Sequence, residues 1–539
     1  MAGNKTRHIQ VGQPTSPVRW WTILSWCAPL AAAGLLLLYR LSDVAGLHRD
    51  EAVFGLFAEW IQEGNWPMRA GFNVYTAPIH SYMIAGCFSI FGTSIWSLRI
   101  SGVAFNLLAL LAYGDVVRRI APKRVAWLLW FVATLPMFVV FGRIAGENYA
   151  LNPFFLFGGI WCYVVLASPH RSRWTRRAGV ALTGLMFCLG VWNHVVFAPT
   201  AASVVAVYLL ATRRSFGTTI RALPWFAMGG VLGAVPRLYG ILFLGHEVIP
   251  TGEHLKTGLA PLWHATLNMI YTLGGNGLYA RACGEIGVNL NWVLPMVVVA
   301  SGSFFIQRRM TEPHRRLWKY VALCAAMSLA GTWLITPALT LGSRVWLLGL
   351  WFVPFLLCVS LPESNRALRL SIGAALIAIN VTSVGINYFH KYLQTGGTAR
   401  KMVNVGGRRD NSWDFVDTRP LAEKLKQFED EYIYIEDDTP NRLRFLLPRE
   451  WRDRVWTVDK ALRHPGAIRP GSLVVAYRTP GPSSTALVAI KRQNLVLLAR
   501  DLRLGLKNFR ICRALEVRRT GDGAAGSGRG VRFGGGSGG

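Results

Sequence analysis

The groups able to do chemistry in this 539-residue chain are few and clustered. His48-Arg49-Asp50-Glu51 sets two adjacent carboxylates beside a cation and an imidazole. Phe141-Gly-Arg143-Ile-Ala-Gly-Glu147 brings a guanidinium and a third carboxylate to one short turn. Arg237 follows Pro236, Arg344 follows Ser343, and the stretch Tyr75–Tyr82 contains His80 and Tyr82. A positioned carboxylate can take the proton of an acceptor hydroxyl. A guanidinium stays charged and can bind two phosphate oxygens at once as negative charge develops there. Transfer from a phosphate-linked donor needs both parts. Asp50 is the candidate base, with Glu51 and Glu147 as further catalytic candidates. Arg143, Arg237 and Arg344, with His80 and Tyr82, are the candidates for holding substrate and donor phosphate. Each has a plainer alternative. Acids favour the positive end of a helix, Arg143 and Glu147 could simply pair, Arg237 could snorkel to an interface, and His48, His80 and His194 lack paired ligand spacing and read more readily as structural or interfacial.

The elements that position these groups follow from composition. Hydrophobic residues are 52% and charged residues 16%, with 21 Trp and 27 Phe. So little charge cannot solvate a monomer of this size, which excludes disordered, collagen-like and ordinary soluble classes. About eleven apolar stretches between Trp20 and Tyr388 are long enough to span a bilayer or nearly so. The net charge of +30 is therefore judged by where the charges lie, and no nucleic-acid partner is expected. Alternate loops carry 18 Lys and Arg: Arg118 to Arg124, Arg171 to Arg177, Arg213 to Arg221, Arg308 to Lys319, and Arg366 with Arg369. The opposite loops, longer in total, carry eight. The positive-inside rule then puts the N-terminus in the cytoplasm. Loops 40–99, 143–149 and 246–290 fall on the other side, as does everything after Tyr388.

The expected organisation is a cytoplasmic tail 1–19, a membrane region 20–390, an extracytoplasmic α/β domain 391–520 and a Gly-rich flexible tail 521–539. From Asp50 to Gln62, Val53, Leu56, Phe57, Trp60 and Ile61 recur at helical spacing, which predicts an interfacial helix with both acids in its first turn. A second apolar helix after Tyr82 is too short to span. In the distal domain, 431–436 and 472–477 read as strands, 420–429 as a helix, and 495–498 and 509–514 as further strands. Its 28 Lys and Arg against 16 Asp and Glu give it a basic surface.

Asp50-Glu51 after the first span, Tyr75–Tyr82 with Pro78, Trp96-Ser-Leu-Arg99-Ile-Ser-Gly, Arg143 to Phe155, and Ser343-Arg344-Val-Trp-Leu-Leu together resemble the GT-C superfamily of integral-membrane glycosyltransferases. The likeness covers residues 20–390 and is greatest to the branch holding the protein O-mannosyltransferases, the lipid A aminoarabinose transferase and the rhizobial lipid A galacturonosyltransferases. It implies a polyprenyl-phosphate-sugar donor and a glycan, lipid or protein acceptor, met on the extracytoplasmic face of a bacterial inner membrane. By that resemblance Asp50 matches the catalytic base and Glu51 its motif neighbour. Glu147 falls where relatives place a second acid, and Arg344 opens a late span and contacts donor phosphate. The chain departs where relatives read Lys-Pro-Pro-Leu: here it has Thr76-Ala77-Pro78-Ile79, without the phosphate-binding Lys. Val345-Trp346 stands in place of the usual Tyr after Arg.

One evident base and no carboxylate assignable as a nucleophile predict a single displacement with inversion. No cofactor is firmly implied. Asp50, Glu51 and Glu147 could gather oxygen ligands for a divalent metal, which spacing alone does not establish. Cys283 and Cys512 both fall on the oxidising side, where a disulfide could persist, and the sequence leaves open whether they pair. The competing classes are a transporter or flippase of lipid-linked saccharides, which should show an internal repeat and charges at the midplane, and a scaffold that binds a surface partner.

Overall fold

The computed structural model describes residues 20–44, 46–67, 76–146, 151–212, 216–244, 312–335, 346–361 and 365–390, single positions at 269, 273 and 393, and shorter stretches from 399 to 519. The chain divides into two compact units, Met1–Asp417 and Thr418–Gly539. The boundary lies beyond the compositional change near Lys391, because strands made from 399–416 pair within the first unit.

That unit is a helical membrane body. α1 (Trp20–Leu38) leads through the two-residue strand β1 (Leu47–His48) into α2 (Arg49–Gln62). α2 has the predicted amphipathic spacing, and the short apolar α3 (Ile79–Phe91) packs on it. α4 (Ile95–Ile120) starts at the Ser94 N-cap and is 26 residues long, enough to cross a bilayer. Three other helices among the described residues pass the same test: Thr219–Leu244, Arg315–Leu334 and Arg366–His390. α5 (Val125–Thr134) and α6 (Pro136–Gly142) make a fifth span if taken together; they meet at a bend of 56°. Its cause is local. Pro136 excludes the helical conformation at the residue before it, and Leu135 is extended with ψ of 124°. α7 (Leu151–Trp161) packs on α4, and α9 (Phe197–Thr212) follows as another shorter apolar helix. The expected span at 291–306 lies outside the described residues, as does Cys283.

α8 (Arg173–Asn193) and α10 (Phe216–Leu244) approach backbone to backbone. Without a hydrophobic drive between helices in lipid, association depends on such close packing. A Cβ at Gly229 would run into the Ala181 carbonyl, and one at Gly184 into that of Phe226. Apolar residues of α10, among them Leu232, Leu242 and Phe243, stay exposed, as a lipid-facing surface requires. The chain is a multi-pass membrane protein.

Two small strand groups complete this unit. β2 (Ala399–Arg400) and β5 (Trp413–Val416) join β1 in the order β1-β5-β2, with His48 opposite Phe415 and Leu47 opposite Val416. β3 (Val403–Val405) and β4 (Arg408–Asp410) form a separate pair. In the second unit, β6 (Ile433–Ile435) runs parallel to β7 (Val455–Thr457) and to β8 (Leu473–Tyr477). β8 continues into an antiparallel run with β11 (Phe509–Arg519), β10 (Leu495–Asp501) and β9 (Val488–Arg492). The helix Arg419–Leu425 precedes this six-stranded mixed sheet, and Leu421, Leu425, Ile433, Val455 and Leu473 are fully buried.

Candidate active site

The site is built where α2 begins. His48 is the N-cap: its Nδ1 accepts the Asp50 N–H at 3.1 Å, and the Glu51 carboxylate accepts the His48 N–H at 3.0 Å. This reciprocal cap satisfies two of the amide groups that a helix start leaves unpaired. It also separates the two acids. Glu51 faces inward and is completely buried, whereas the Asp50 side chain keeps 17% exposure, with Oδ2 3.7 Å from His48 Nδ1.

Both Glu51 oxygens are occupied. Arg99, one turn into α4, donates Nε to Oε1 at 2.8 Å and Nη2 to Oε2 at 2.7 Å. The Ala145 N–H adds a third donor element at 2.9 Å. Arg99 spends its other donors on the carbonyls of Leu41 and Gly46. Burial pushes the Glu51 carboxyl up, but the Arg99 charge and the hydrogen bonds from Arg99, His48 and Ala145 outweigh it and hold the carboxyl below its ordinary range. The group is held as an anion inside the protein at neutral pH.

His80, in the first turn of α3, is also fully buried. Its Nδ1 is 3.2 Å from the Gly146 carbonyl and its Nε2 3.1 Å from the Ser101 hydroxyl. Burial brings its pKa down to about 4, against the opposing pull of the Gly146 carbonyl and the Glu51 charge, so the ring is neutral at ordinary pH. Tyr82 donates to the Pro67 carbonyl at 2.8 Å and stacks on Trp66, and burial raises its phenol.

Arg143 is buried with 1% exposure, and its guanidinium points at main chain. Nη1 donates to the carbonyls of Leu36 and Leu37, and Nη2 to those of Arg40 and Val44. Leu36 and Leu37 are in the last turn of α1, where carbonyls have no helical partner. Phe389 and Tyr388 stack on the same guanidinium. Arg143 therefore ties its two Nη groups to the end of α1 and the loop after it. Arg237 is half-buried in α10, just after Pro236. Glu147 and Arg344 lie outside the described residues. The structure thus brings Glu51, His80 and Arg143 to one place, with Asp50 at its edge.

Two partners went unassigned in the sequence: Arg99 and Ser101. The signal for Arg99 was a lone cation in an apolar helix, which demands a counter-charge. Nothing in the sequence singles out Ser101. Toward a divalent metal, Glu51 offers no free oxygen, and no group of three or more His, Cys, Asp or Glu is arranged for one among the described residues.

Residues 75–239, from the turn before α3 into α10, match the family model described as dolichyl-phosphate-mannose-protein mannosyltransferase. The membrane architecture is the GT-C fold. The likeness extends to a crystal structure of ArnT from Cupriavidus metallidurans in the apo state, at 14% identity and a TM-score of 0.54, over 91% of this chain and 98% of that one. A crystal structure of ArnT from the same organism bound to undecaprenyl phosphate matches at 15% identity, with the same TM-score and coverage. Sequence comparison with curated proteins returns no match.

Proposed function

We propose that this protein is an integral-membrane glycosyltransferase that moves a sugar from a polyprenyl-phosphate donor to a glycan, lipid or protein acceptor on the extracytoplasmic face of a bacterial inner membrane. The observation that carries this reading is the division of the acid pair. Glu51 is consumed by Arg99 and two amides, while Asp50 sits beside it on a rigid helix start with its carboxylate reaching solvent. A base needs that accessibility and that support. Undecaprenyl phosphate bound to ArnT, which has the same fold, supports a lipid phosphate as the leaving group. The Lys and Arg bias of alternate loops supports the orientation.

In this mechanism the Asp50 carboxylate removes the proton of the acceptor hydroxyl. The acceptor oxygen attacks the anomeric carbon, and the bond from that carbon to the phosphate oxygen breaks. Its electron pair stays on the phosphate, which departs as polyprenyl phosphate. One displacement inverts the anomeric centre. Of the cations named from the sequence, Arg344 and Arg237 are the candidates for the departing phosphate beside Arg143, whose Nη groups meet main-chain carbonyls, and Glu147 is the second acid. Hexose or pentose is decided by the pocket that receives the ring.

The test uses purified protein in detergent with a panel of polyprenyl-phosphate hexoses and pentoses, following released polyprenyl phosphate by mass spectrometry. Release from one donor by wild type, dependent on acceptor and reduced at least a hundredfold in Asp50→Asn, is the expected result. Equal release by the two proteins would remove Asp50 as base. Binding of the same lipids without turnover would favour a flippase, and retention of the anomer in the product would remove the single displacement.

A further inference from the structure

The turn after α6 is tied to other elements at three points, one through its own side chain and two through side chains from elsewhere in the chain. Arg143 reaches the end of α1, the Ala145 N–H is held by Glu51 of α2, and the Gly146 carbonyl is held by His80 of α3. We propose that Glu51 and His80 are positioning residues that act as one clamp: by holding the N–H of Ala145 and the carbonyl of Gly146, they fix the turn after α6 against the helix start that carries Asp50. The proposal rests on the glycosyltransferase reading only for its activity readout.

The chemistry of the clamp is directional. A carbonyl only accepts, so the proton of neutral His80 is on Nδ1, facing Gly146. Nε2 is then an acceptor facing the Ser101 hydroxyl at 3.1 Å, for whose one proton it competes with the Leu98 carbonyl at 3.3 Å. Burial keeps the ring in that neutral state. Glu51 is the complementary half: an anion, held by Arg99, that takes an N–H from the same turn. Residues 80, 99, 143 and 145 are at most 2% exposed, so water does not compete for these bonds. Apolar side chains would fill the space, but they would not specify which peptide faces which helix. The helix start that carries Asp50 and the turn at 143–146 are almost a hundred residues apart in sequence, and a site built on their meeting needs that specification to within about 0.5 Å.

Three substitutions at one position separate positioning from bulk. Asn places an amide N–H as many bonds from the backbone as Nδ1, and can donate to Gly146. Gln extends one bond further, toward Ser101. Ala does neither. Hydrogen exchange of the 141–150 peptide, followed by mass spectrometry on the full-length protein in detergent, should quicken at least tenfold in His80→Ala and His80→Gln and stay near wild type in His80→Asn. Turnover per folded molecule should fall about ten- to hundredfold in the first two, with donor KM within twofold, and return to within threefold in His80→Asn. Glu51→Gln, which keeps shape but loses the charge held by Arg99, should quicken the same peptide.

Equal behaviour of the Asn, Gln and Ala variants would overturn the clamp, since a merely structural ring has no preference between Nδ1 and Nε2. So would unchanged exchange in His80→Ala. If wild type releases polyprenyl phosphate from no donor, the glycosyltransferase reading fails, and the exchange measurement still decides the clamp.

Discussion

The two ends of α4 each carry an ion pair, built in opposite ways. At one end Arg99 and Glu51 are 1% and 0% exposed and 48 residues apart in sequence. At the other, Asp115 meets Arg118 and Arg119 one turn away, at exposures from 21% to 36%, and also accepts from Trp161 at 2.9 Å. The Asp115 cluster is local: it forms wherever the helix forms, and water competes with it. The Arg99 pair exists only when α2, α4 and the loop after α1 are assembled, and nothing replaces a lost partner. Burial and sequence separation, more than ion-pair distance, decide what such a pair does for a protein.

Breaking the buried pair has the largest expected effect. Arg99→Met strands the Glu51 charge and should cost about 3–5 kcal/mol in denaturant unfolding in detergent. Adding Glu51→Leu sharpens the point. Removing both charges is often nearly neutral elsewhere, but here the amides of His48 and Ala145 and the carbonyls of Leu41 and Gly46 lose their partners too. The double variant should recover less than half of the loss.

Acid is the next way to strain that end. The unfolded chain binds the His80 proton near pH 6.5 and the folded chain only near 4, so stability should fall as pH drops through that window, by on the order of 3 kcal/mol. Glu51, held below its ordinary pKa, adds a further loss that begins below its unfolded value of 4.5. Unfolding midpoints measured from pH 7 to 4 should flatten in His80→Asn across the upper part of the range. At the other end, Asp115→Ala should cost about 0.2–1 kcal/mol, and part of that should vanish in high salt, unlike the Arg99 effect. Smallest of all is Asp50→Asn, expected to shift stability by less than about 1 kcal/mol while removing turnover.

What the sequence displayed and what it withheld divide along the same line. The spacing of Val53, Leu56, Phe57, Trp60 and Ile61 is enough to read α2, with both acids in its first turn. The brevity of α3 and the strands around Ile433 and Val474 were legible for the same reason, because local periodicity reports local structure. Which acid is buried was not legible. Adjacent residues of a helix start look alike until their partners are known, and Glu51 finds its own at Arg99 and Ala145. Arg143 read as a ligand for phosphate because a cation in an apolar setting needs an anion or dipoles. Its Nη groups meet the carbonyls that end α1 and those of Arg40 and Val44, dipoles that no sequence spacing displays.

The pairing of β1 with β5 bears on when, in the life of each molecule, this end is finished. His48 caps α2 and also lies opposite Phe415, a residue made on the order of tens of seconds later at ordinary rates of synthesis. Until then the strand before Asp50 has an open edge, and closing so long a loop carries the entropy cost of its length. The start of α2 is therefore completed only after nearly the whole membrane unit has been made, and a growing chain shorter than this still carries that edge open within the bilayer.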